Sequence, residues 1–360
     1  MRLGIVTLGG DCSGLNSVIY GAYKTAKNKD IALIGFNDGI KGLIDNNYII
    51  MDDKVCDETL LSRSGTILRT NNVYIHKLLN EGMSPSDIYE KILSNYESNS
   101  LDGLIYIGGD GSMRIAREML SHNKDKMKIV AIPKTIDNDI FMTDFSIGFK
   151  TALDSIVENL ERIRSTIASH ERIAVVEVMG RDAGFLAMYS GIASGSDIIL
   201  VNEFTHNFEA ILKKIKSCYD GVKNHCIIIV AEAVELDGLK HNINATKLSK
   251  EYTHHTYNGA GKVLADKLAS HGYDAKHISL GHTQRGGITS INDRIMGAAY
   301  GSKAVEMLME GKTNKMLYMK SGNLDAIDIF HDDVTKKKLL RPDDEIVSFA
   351  KNMGIYCGEI

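Results

Sequence analysis

The sequence is poor in the residues that mark secreted, membrane-spanning and disulfide-rich proteins. Among its 360 residues there are no tryptophans, three prolines and five cysteines. No stretch approaches the ~20 consecutive apolar residues of a membrane-spanning helix, and the apolar run at the amino terminus is too short for a signal peptide. The cysteines are scattered without the paired spacing of a metal site. We therefore expect a cytoplasmic protein with reduced thiols and no membrane partner.

The charges are nearly balanced. Lysine and arginine together number 42, aspartate and glutamate 46, and the net charge of −4 argues against a general nucleic-acid partner. A hydrophobic content of 44% with 24% charged residues is typical of a globular protein with a sizeable core. A chain of this length exceeds one ordinary domain, so two lobes are expected.

The stretch 104–139 combines the features of a phosphate-binding site. An apolar run at 104–107 enters the turn Gly108-Gly109-Asp110-Gly111-Ser112, which a helical segment follows. A second apolar run at 129–132 leads into the loop 133–139. In an open parallel sheet both loops would lie at the carboxyl ends of their strands, where ligands bind. Glycines let a phosphate approach the backbone, and the start of the helix attracts it.

Three carboxylates accompany these loops, at Asp110, Asp137 and Asp139. Carboxylates beside an anion are chemically reasonable if one holds Mg²⁺ and another accepts a proton. The stretch therefore suggests metal-assisted phosphoryl transfer. Taken singly, a Gly-Gly-Asp-Gly turn is common in α/β proteins and an Asp-Asn-Asp triplet is ordinarily a solvated turn, so a purely structural role stays open for each.

Strand-like and helical segments alternate along the chain, which favours an α/β fold with parallel sheets and right-handed crossovers. Besides the central stretch, the predicted strands are 3–8, 31–36, 173–178, 198–201, 227–230 and 278–280. The predicted helices are one ending near residue 27 and those at 87–96, 151–167, 208–218, 259–270 and 293–309. Ser13 is the predicted N-cap of the first helix.

Arginines are the candidates for contacts with an anionic substrate, because the guanidinium group binds phosphate oxygens bidentately. Arg181 and Arg285 stand out among Arg172, Arg181 and Arg285, since each follows a strand and has a glycine neighbour. Any one of them is more often a surface charge. His282 stands three residues before Arg285, which suggests a ligand contact; a core position is the alternative.

These segments together resemble the 6-phosphofructokinase family. They occur in the family's order and span most of the chain, and they are Gly9-Gly10-Asp11, Gly14-Leu15-Asn16, Gly108 to Ser112, Pro133 with Thr135 to Asp139, His170 with Arg172, Val175 to Arg181, Glu232, Gly281 to Gly287, and Asp293-Arg294. The resemblance implies two Rossmann-like lobes with mainly parallel sheets. It implies a nucleotide lobe of residues 1–148 and 283–334 and a sugar-phosphate lobe of residues 149–282 and 335–360.

The resemblance also implies an activity, namely transfer of the γ-phosphoryl group of ATP to the 1-hydroxyl of fructose 6-phosphate. Asp137 resembles the general base, and Asp110 the carboxylate linked to Mg²⁺. The implied donor site comprises Gly10, Asn72, Gly108, Gly109, Asp110, Gly111 and Ser112. The implied sugar-phosphate contacts are Thr135, Asp139, Arg172, Met179, Gly180, Arg181, Glu232, Lys276, His282 and Arg285. Family members donate the arginine matching Arg172 from a neighbouring subunit, so a homo-oligomer, dimer or tetramer, with a shared site is implied.

The sequence departs from the family pattern at three places. Asn72 stands where the family usually has a donor-site arginine, and Arg69 is the possible substitute. Lys276 replaces a substrate-phosphate arginine and lacks its bidentate fork. Tyr20 and Lys24 stand at positions that are arginines in effector-regulated bacterial members, so weak effector control is expected.

Two residues give conflicting indications about the identity of the phosphoryl donor. Pyrophosphate users of the family usually have an aspartate where this chain has Gly111, and glycine leaves room for the α-phosphate of ATP. Lys134 is nevertheless the residue that pyrophosphate users carry before the general base. Gly111 decides for ATP, because steric exclusion is harder to evade than a movable cation. A pyrophosphate-dependent enzyme, a regulatory subunit with weak catalysis and a paralogue for another sugar phosphate remain alternatives.

Overall fold

The computed structural model describes residues 1–71, 74–123, 126–221, 223–236, 242–247 and 253–358. It confirms the predicted α/β fold with mainly parallel sheets. The chain divides into two compact units. The first consists of Met1–Ile136, Ile140–Thr151 and Arg285–Lys337, and the second of Asp137–Asp139, Ala152–Gln284 and Lys338–Ile360. Within the described ranges, no helix is long and apolar enough to cross a membrane.

Elements are numbered along the whole chain. The first unit contains the strands β1 (Arg2–Thr7), β2 (Ala32–Phe36), β3 (Tyr48–Ile50), β4 (Gly103–Gly108), β5 (Ile129–Pro133), β12 (Lys315–Lys320) and β13 (Asn323–Asp328). Its helices are α1 (Leu15–Asn28), α2 (Ile40–Asp45), α3 (Tyr74–Asn80), α4 (Pro85–Ser98), α5 (Asp110–Asn123) and α10 (Ile291–Met309).

The sheet of the first unit has the order β13-β12-β5-β4-β1-β2-β3. All pairings among β2, β1, β4, β5 and β12 are parallel, whereas β3 and β13 are antiparallel edge strands. The strand order reverses between β1 and β4, since the chain leaves β1 toward one edge of the sheet and β4 toward the other. Such a switch point opens a crevice at the carboxyl ends of the two strands. Both glycine turns of the sequence follow these strands.

The core of the first unit supports the second glycine turn directly. Every residue of β4 is buried, as expected for a parallel strand that is covered on both faces. Tyr106 on β4 is fully buried, and its hydroxyl donates a hydrogen bond to the carbonyl oxygen of Ser112 at 3.0 Å. The first turn of α5 is thereby held by the core rather than by surface contacts.

The second unit is built on a four-stranded parallel sheet. Its strands are β6 (Ile173–Val178), β7 (Ile198–Leu200), β8 (Cys226–Ala231) and β11 (Ala275–Ser279), in the order β11-β6-β8-β7. A separate antiparallel pair is formed by β9 (Asn242–Lys247) and β10 (Thr253–Asn258). The helices are α6 (Phe149–Ser169), whose first residues belong to the first unit, α7 (Phe185–Ala193), α8 (Phe208–Tyr219), α9 (Ala260–Ser270) and α11 (Glu345–Asn352).

The predicted elements are present, and three details differ from the prediction. Gly14, with a φ of 92°, occupies the N-cap of α1, so the prediction of Ser13 was wrong. The Ser13 hydroxyl instead pairs with that of Ser64 at 2.8 Å. The strand predicted at 278–280 begins three residues earlier, at Ala275. The hairpin of β12 and β13 was not predicted; it extends the first sheet and has largely half-exposed, mixed side chains without an apolar run.

Candidate active site

The two glycine turns of the first unit lie at the carboxyl ends of neighbouring strands. Gly9 follows β1 with a φ of 77°, a conformation that side chains rarely adopt. Gly108 ends β4, and a Cβ added there would lie 2.3 Å from the Cβ of Ser112. Both turns therefore require glycine. Gly9, Gly10 and Gly109 are half-exposed whereas Gly108 is buried, and half-exposed backbone without side chains suits a polyphosphate.

Asp110 begins α5, and its carboxylate is close to one cation. The Nζ atom of Lys337 lies 4.0 Å from Oδ2 of Asp110, whose side chain is 18% exposed. Gly111, the next residue, is half-exposed in the first turn of the helix. Free N–H groups and the positive end of the helix dipole are found at such a terminus. This end of α5 can thus hold an anion, and a partly exposed carboxylate beside that anion can share a hard cation with it.

Lys134 lies against the first glycine turn. It is only 3% exposed, and its ammonium group donates a hydrogen bond to the carbonyl oxygen of Gly10. Its backbone N–H donates to the carbonyl oxygen of Gly108 at 2.9 Å. Lys134 therefore links the two turns. Its stem is buried rather than free to swing aside, contrary to what the sequence suggested.

Arg285 also lies beside this turn. Its Nη1 atom donates to the carbonyl oxygen of Asp11 at 2.9 Å, and a Cβ on Gly10 would come within 2.8 Å of the same nitrogen. The sequence predicted Arg285 as a sugar-phosphate contact. In the structure it groups with the first unit, beside the predicted donor residues.

The possible substitute for the missing donor arginine is already engaged. The guanidinium group of Arg69 forms two contacts with Asp38, of 2.8 Å from Nε and 3.0 Å from Nη2. Arg69 has a φ of 57°, and its carbonyl oxygen accepts a hydrogen bond from the hydroxyl of Thr7. Asn72 lies outside the described residues. Nothing in the sequence around Asp38 predicted its pairing with Arg69.

The second unit brings another set of predicted residues to the carboxyl ends of its strands. Met179, Gly180 and Arg181 follow β6, and Glu232 follows the neighbouring β8. The Glu232 carboxylate accepts a hydrogen bond from the backbone N–H of Arg181 at 3.0 Å. Gly180 has a φ of 139°, and a Cβ there would lie 2.5 Å from the carbonyl oxygen of Ala183. This tight turn fixes the position of Arg181.

Glu232 is the carboxylate with the most perturbed titration in this group. Burial raises the pKa of Glu232 to about 7. The hydrogen bond from Arg181 opposes this effect, whereas the negative charges of Asp137 and Glu177 add to it. A carboxyl group that titrates near neutral pH, beside a glycine turn and an arginine, is typical of a functional site.

The acidic loop Asp137–Asp139 groups with the second unit. Its three residues are buried, with 5%, 1% and 3% of their surfaces exposed. Asn138 has a φ of 54°, which asparagine tolerates better than most residues. The carbonyl oxygen of Asp139 accepts a hydrogen bond from the backbone N–H of Lys338 at 2.8 Å. The loop is therefore an ordered part of the fold, and the solvated-turn alternative is wrong.

Two further predicted contacts have clear surroundings. The carbonyl oxygen of Thr135, in the first unit, accepts a hydrogen bond from the hydroxyl of Ser146 at 2.6 Å. His282 is exposed in a short 3₁₀ turn after β11, which excludes a core position. Its buried neighbour Gln284 accepts a hydrogen bond from the N–H of Met179 at 3.2 Å. Gln284 thus joins two glycine-bounded turns, a role that we did not predict.

Arg172 and Lys276 are not brought to this edge of the sheet. Both bind Asp274: Nε of Arg172 at 2.6 Å and Nζ of Lys276 at 2.7 Å. The hydrogen bonds from Lys276 and then Arg172 lower the pKa of Asp274. This cluster lies at the amino ends of β6 and β11, whereas Arg181 follows the carboxyl end of β6. The six residues of β6 are joined by five steps of ~3.3 Å, so the two ends of the strand lie about 17 Å apart.

Glu203 is a second residue that sequence reasoning missed. It accepts hydrogen bonds from the N–H groups of Gly184 at 2.9 Å and Leu340 at 3.1 Å. Burial raises its pKa. Gly184 is the N-cap of α7 and follows the turn that carries Arg181, so its hydrogen bond to Glu203 stabilises the end of that turn. The two donors to Glu203 lie 19 and 137 residues away along the chain, and no pattern in the sequence predicts such contacts.

Known proteins are similar to this chain over most of its length. The family model described as phosphofructokinase matches residues 2–308. The chain is 37% identical to ATP-dependent 6-phosphofructokinase 1 of Nostoc sp., with 99% of each chain covered. It is 35% identical to pyrophosphate–fructose 6-phosphate 1-phosphotransferase of Dictyoglomus thermophilum, with 91% of this chain and 92% of that protein covered.

A solved structure shows the same fold. The structure of phosphofructokinase from Saccharomyces cerevisiae matches with a TM-score of 0.76 and 24% sequence identity. The match covers 98% of this chain and 47% of the yeast chain, so this chain spans about half the length of that relative.

Proposed function

The chain belongs to the phosphofructokinase family, and we propose that it is an ATP-dependent 6-phosphofructokinase. In this proposal it transfers the γ-phosphoryl group of ATP to the 1-hydroxyl of fructose 6-phosphate. The products are ADP and fructose 1,6-bisphosphate, and the reaction takes place in cytoplasmic glycolysis. Phosphoryl transfer needs positioning and electrostatic stabilisation more than covalent help from the protein.

The observation that carries the proposal is the pair of glycine turns at the switch point of the first sheet. Gly10 and Gly108 to Ser112 follow the neighbouring strands β1 and β4 at this point, and α5 begins there with Asp110. We propose this crevice as the donor-phosphate site. Lys134 and Arg285, which both contact the first turn, contribute the positive charge that a polyphosphate requires.

A Mg²⁺ ion fits the donor set of this crevice. Asp110 offers one partly exposed carboxylate, and Mg²⁺ is commonly held by one or two carboxylates together with substrate phosphates and water. When bound, the ion would neutralise charge on the transferred phosphoryl group.

Asp137 is the proposed general base. It follows β5, the strand next to β4, by four residues of chain, so the acidic loop and the second glycine turn emerge from neighbouring strands. Asp137 would accept the proton of the attacking 1-hydroxyl. The loop carries it on a buried, ordered backbone, which keeps the carboxylate in one position.

The sugar phosphate is assigned to the second unit's turn residues. We propose that Arg181 binds the acceptor with its guanidinium group and that Glu232 accepts sugar hydroxyl protons. The remaining proposed contacts are Thr135, Asp139, Met179, Gly180 and His282. The hydrogen bond between Glu232 and Arg181 supports a common role for these two residues.

Pyrophosphate is the second candidate donor, because Lys134 lies at the donor turn. A buried ammonium group there can neutralise a compact diphosphate. Gly111 favours ATP, since the second residue of α5 then carries neither a side chain nor a negative charge near an α-phosphate. We rank ATP first for that reason.

A donor screen on the purified protein tests the proposal. Turnover of fructose 6-phosphate is measured with Mg²⁺ and either ATP or pyrophosphate, and we expect efficient use of ATP alone. Gly111→Asp should depress the use of ATP sharply, and adding Lys134→Gly should not create a pyrophosphate enzyme. Efficient turnover of the unmodified protein with pyrophosphate, and little with ATP, would show that Lys134 sets the donor.

We further propose a homo-oligomer in which Arg172 and Lys276 serve the active site of a neighbouring copy. Their cluster lies at the amino ends of β6 and β11, far along the strand from Arg181. Both cations are partly exposed, at 32% and 49% of their side chains, and so can reach a phosphate outside their own subunit.

A further inference from the structure

Two thiols and a carboxylate meet in the second unit at a place that the proposed reaction does not use. Cys218 lies in the last turn of α8, Cys226 begins β8, and Asp197 precedes β7. One Sγ atom from each cysteine and one carboxylate oxygen all lie within 4.8 Å of one another. All three residues are buried.

We propose that Cys218 and Cys226 are a redox-sensitive dithiol, which closes to an intrachain disulfide when a low-molecular-weight disulfide such as oxidised glutathione reaches it. Neither cysteine is among the residues that bind ATP or fructose 6-phosphate in the proposed function, although the N–H of Cys226 donates a hydrogen bond to the carbonyl oxygen of Arg172 at 3.2 Å. Closure of the dithiol does not depend on the chemistry of that site.

The geometry of the pair favours closure. A disulfide bond is about 2.05 Å long, so sulfurs at most 4.8 Å apart need only a local shift of two side chains. Cys226 is fixed by its pairing with Ile173 of β6, whereas Cys218 lies near the end of a helix that packs on β8. The adjustable partner is therefore Cys218.

The surroundings of the pair disfavour a bound metal. Asp197 accepts hydrogen bonds from Nζ of Lys223 at 2.7 Å and from the N–H of Ile227 at 3.0 Å, one at each oxygen. The ammonium group of Lys223 would repel a divalent cation. The contact with Cys226 lowers the pKa of Cys218, and the same contact raises the pKa of Cys226, while burial and the charge of Asp197 act to raise both pKa values.

The other cysteines lack such surroundings. They are Cys12, Cys56 and Cys357, all buried. Burial raises the pKa of Cys12 and of Cys56 to about 12, and it also raises that of Cys357. Since the thiolate is the attacking species, these three should react slowly with an external disulfide.

The reaction balances as two successive exchanges. The thiolate of Cys218, which is 7% exposed whereas Cys226 is fully buried, attacks one sulfur of oxidised glutathione and releases a glutathione thiolate. The thiolate of Cys226 then attacks the sulfur of Cys218 in the mixed disulfide and releases the second glutathione thiolate. The two thiol protons of the protein end on the two released thiolates. The protein loses two electrons, which reduce oxidised glutathione to two glutathione molecules.

The sequence makes the product easy to identify. Lys223 stands between the two cysteines, so trypsin separates them onto peptides 217–223 and 224–240. The full-length reduced protein is incubated with oxidised glutathione, its remaining thiols are alkylated, and the digest is analysed by mass spectrometry. We expect these two peptides to appear joined, at least tenfold faster than glutathione adds to any other cysteine, and to separate again with dithiothreitol.

Matched variants and a metal control keep the proposal refutable. Cys218→Ser should abolish the linked peptides, while Cys357→Ser, which changes a buried thiol of the same unit, should leave them unchanged. Cys226→Ala is a second test if Cys218→Ser does not fold. Equal reaction of all five cysteines, or a mixed disulfide at Cys218 that never resolves, would overturn the proposal. So would one equivalent of Zn²⁺ that copurifies with the protein and is lost in Cys218→Ser.

Discussion

The titration of Glu232 makes the stability of the protein depend on pH in a way that one substitution should remove. Burial raises the pKa of this carboxyl group from 4.5 to about 7. Between these two pH values the folded state therefore binds more protons than the unfolded state. The free energy of unfolding then falls as the pH rises through this window, and it levels off above the higher value.

The size of this pH effect follows from the difference between the folded and unfolded pKa values of Glu232. At about 1.36 kcal/mol for each pH unit, the separation of 4.5 from about 7 corresponds to about 3.4 kcal/mol. Only the part above pH 5 is measured in a scan from about pH 5 to about pH 8, which leaves about 2.5 kcal/mol. Because water reaches part of the carboxyl group, we expect about 2 kcal/mol to be observed.

Glu232→Gln isolates this effect. The amide oxygen can still accept the hydrogen bond from the N–H of Arg181, but the side chain cannot ionise. Urea unfolding at constant ionic strength should show that the variant gains about 2 kcal/mol on the unmodified protein between about pH 5 and about pH 8. Glu235→Gln, at an exposed position three residues away, removes the same charge and should keep the original slope. Parallel pH profiles for the protein and Glu232→Gln would refute the reasoning.

Three further outcomes are expected. Asp137→Asn should lower kcat about 10²–10⁴-fold with little change in the affinity for fructose 6-phosphate, and near-normal turnover would contradict the role of general base. Arg172→Ala and Asp137→Asn, each inactive alone, should regain part of the activity when assembled together; no rescue in verified mixed oligomers would count against a shared site. Gly108→Ala places a Cβ within 2.3 Å of the Cβ of Ser112, and it should lower the free energy of unfolding in urea by about 1–3 kcal/mol. Gly221→Ala is the control, because a Cβ there meets nothing closer than 3.6 Å, and it should change the free energy of unfolding by less than about 0.5 kcal/mol.

The buried strands of both sheets could be predicted because their sequence pattern is unambiguous, whereas the half-exposed strands β3, β12 and β13 of the first sheet could not. β6 and β8 are runs of apolar residues that are buried along their whole length, and the prediction of 173–178 matches β6 residue for residue. The glycine turns were equally legible, since Gly9 and Gly180 adopt φ values that favour glycine. A backbone conformation that requires glycine restricts the residue type at that position, so it can be recognised from the sequence.

Contacts between residues that are distant along the chain could not be predicted in this way. Asp38 binds Arg69, Asp274 binds Arg172, and Lys337 lies near Asp110 across more than 200 residues. Each pairing depends on where the fold brings two exposed or half-exposed side chains, and composition does not encode that. The same reason explains the N-cap of α1: Ser13 has the right chemistry for a cap, but the nearby Ser64 offers its hydroxyl another partner.

The position of Arg172 could have been deduced from strand polarity alone. Arg172 precedes β6 and Arg181 follows it with two residues between, so the length of the strand, about 17 Å, separates them within one copy. Two arginines whose backbones lie this far apart can converge on one small substrate only if both side chains point toward it, and Arg172 instead binds Asp274. The proposed shared site therefore takes the second arginine from another copy of the chain. Lys276 shares Asp274 with Arg172 and is subject to the same constraint. The Asp274 carboxylate keeps two like charges together at an exposed surface, where they would otherwise repel each other. The mixed-oligomer experiment shows whether Arg172 acts in catalysis or only forms a surface ion pair.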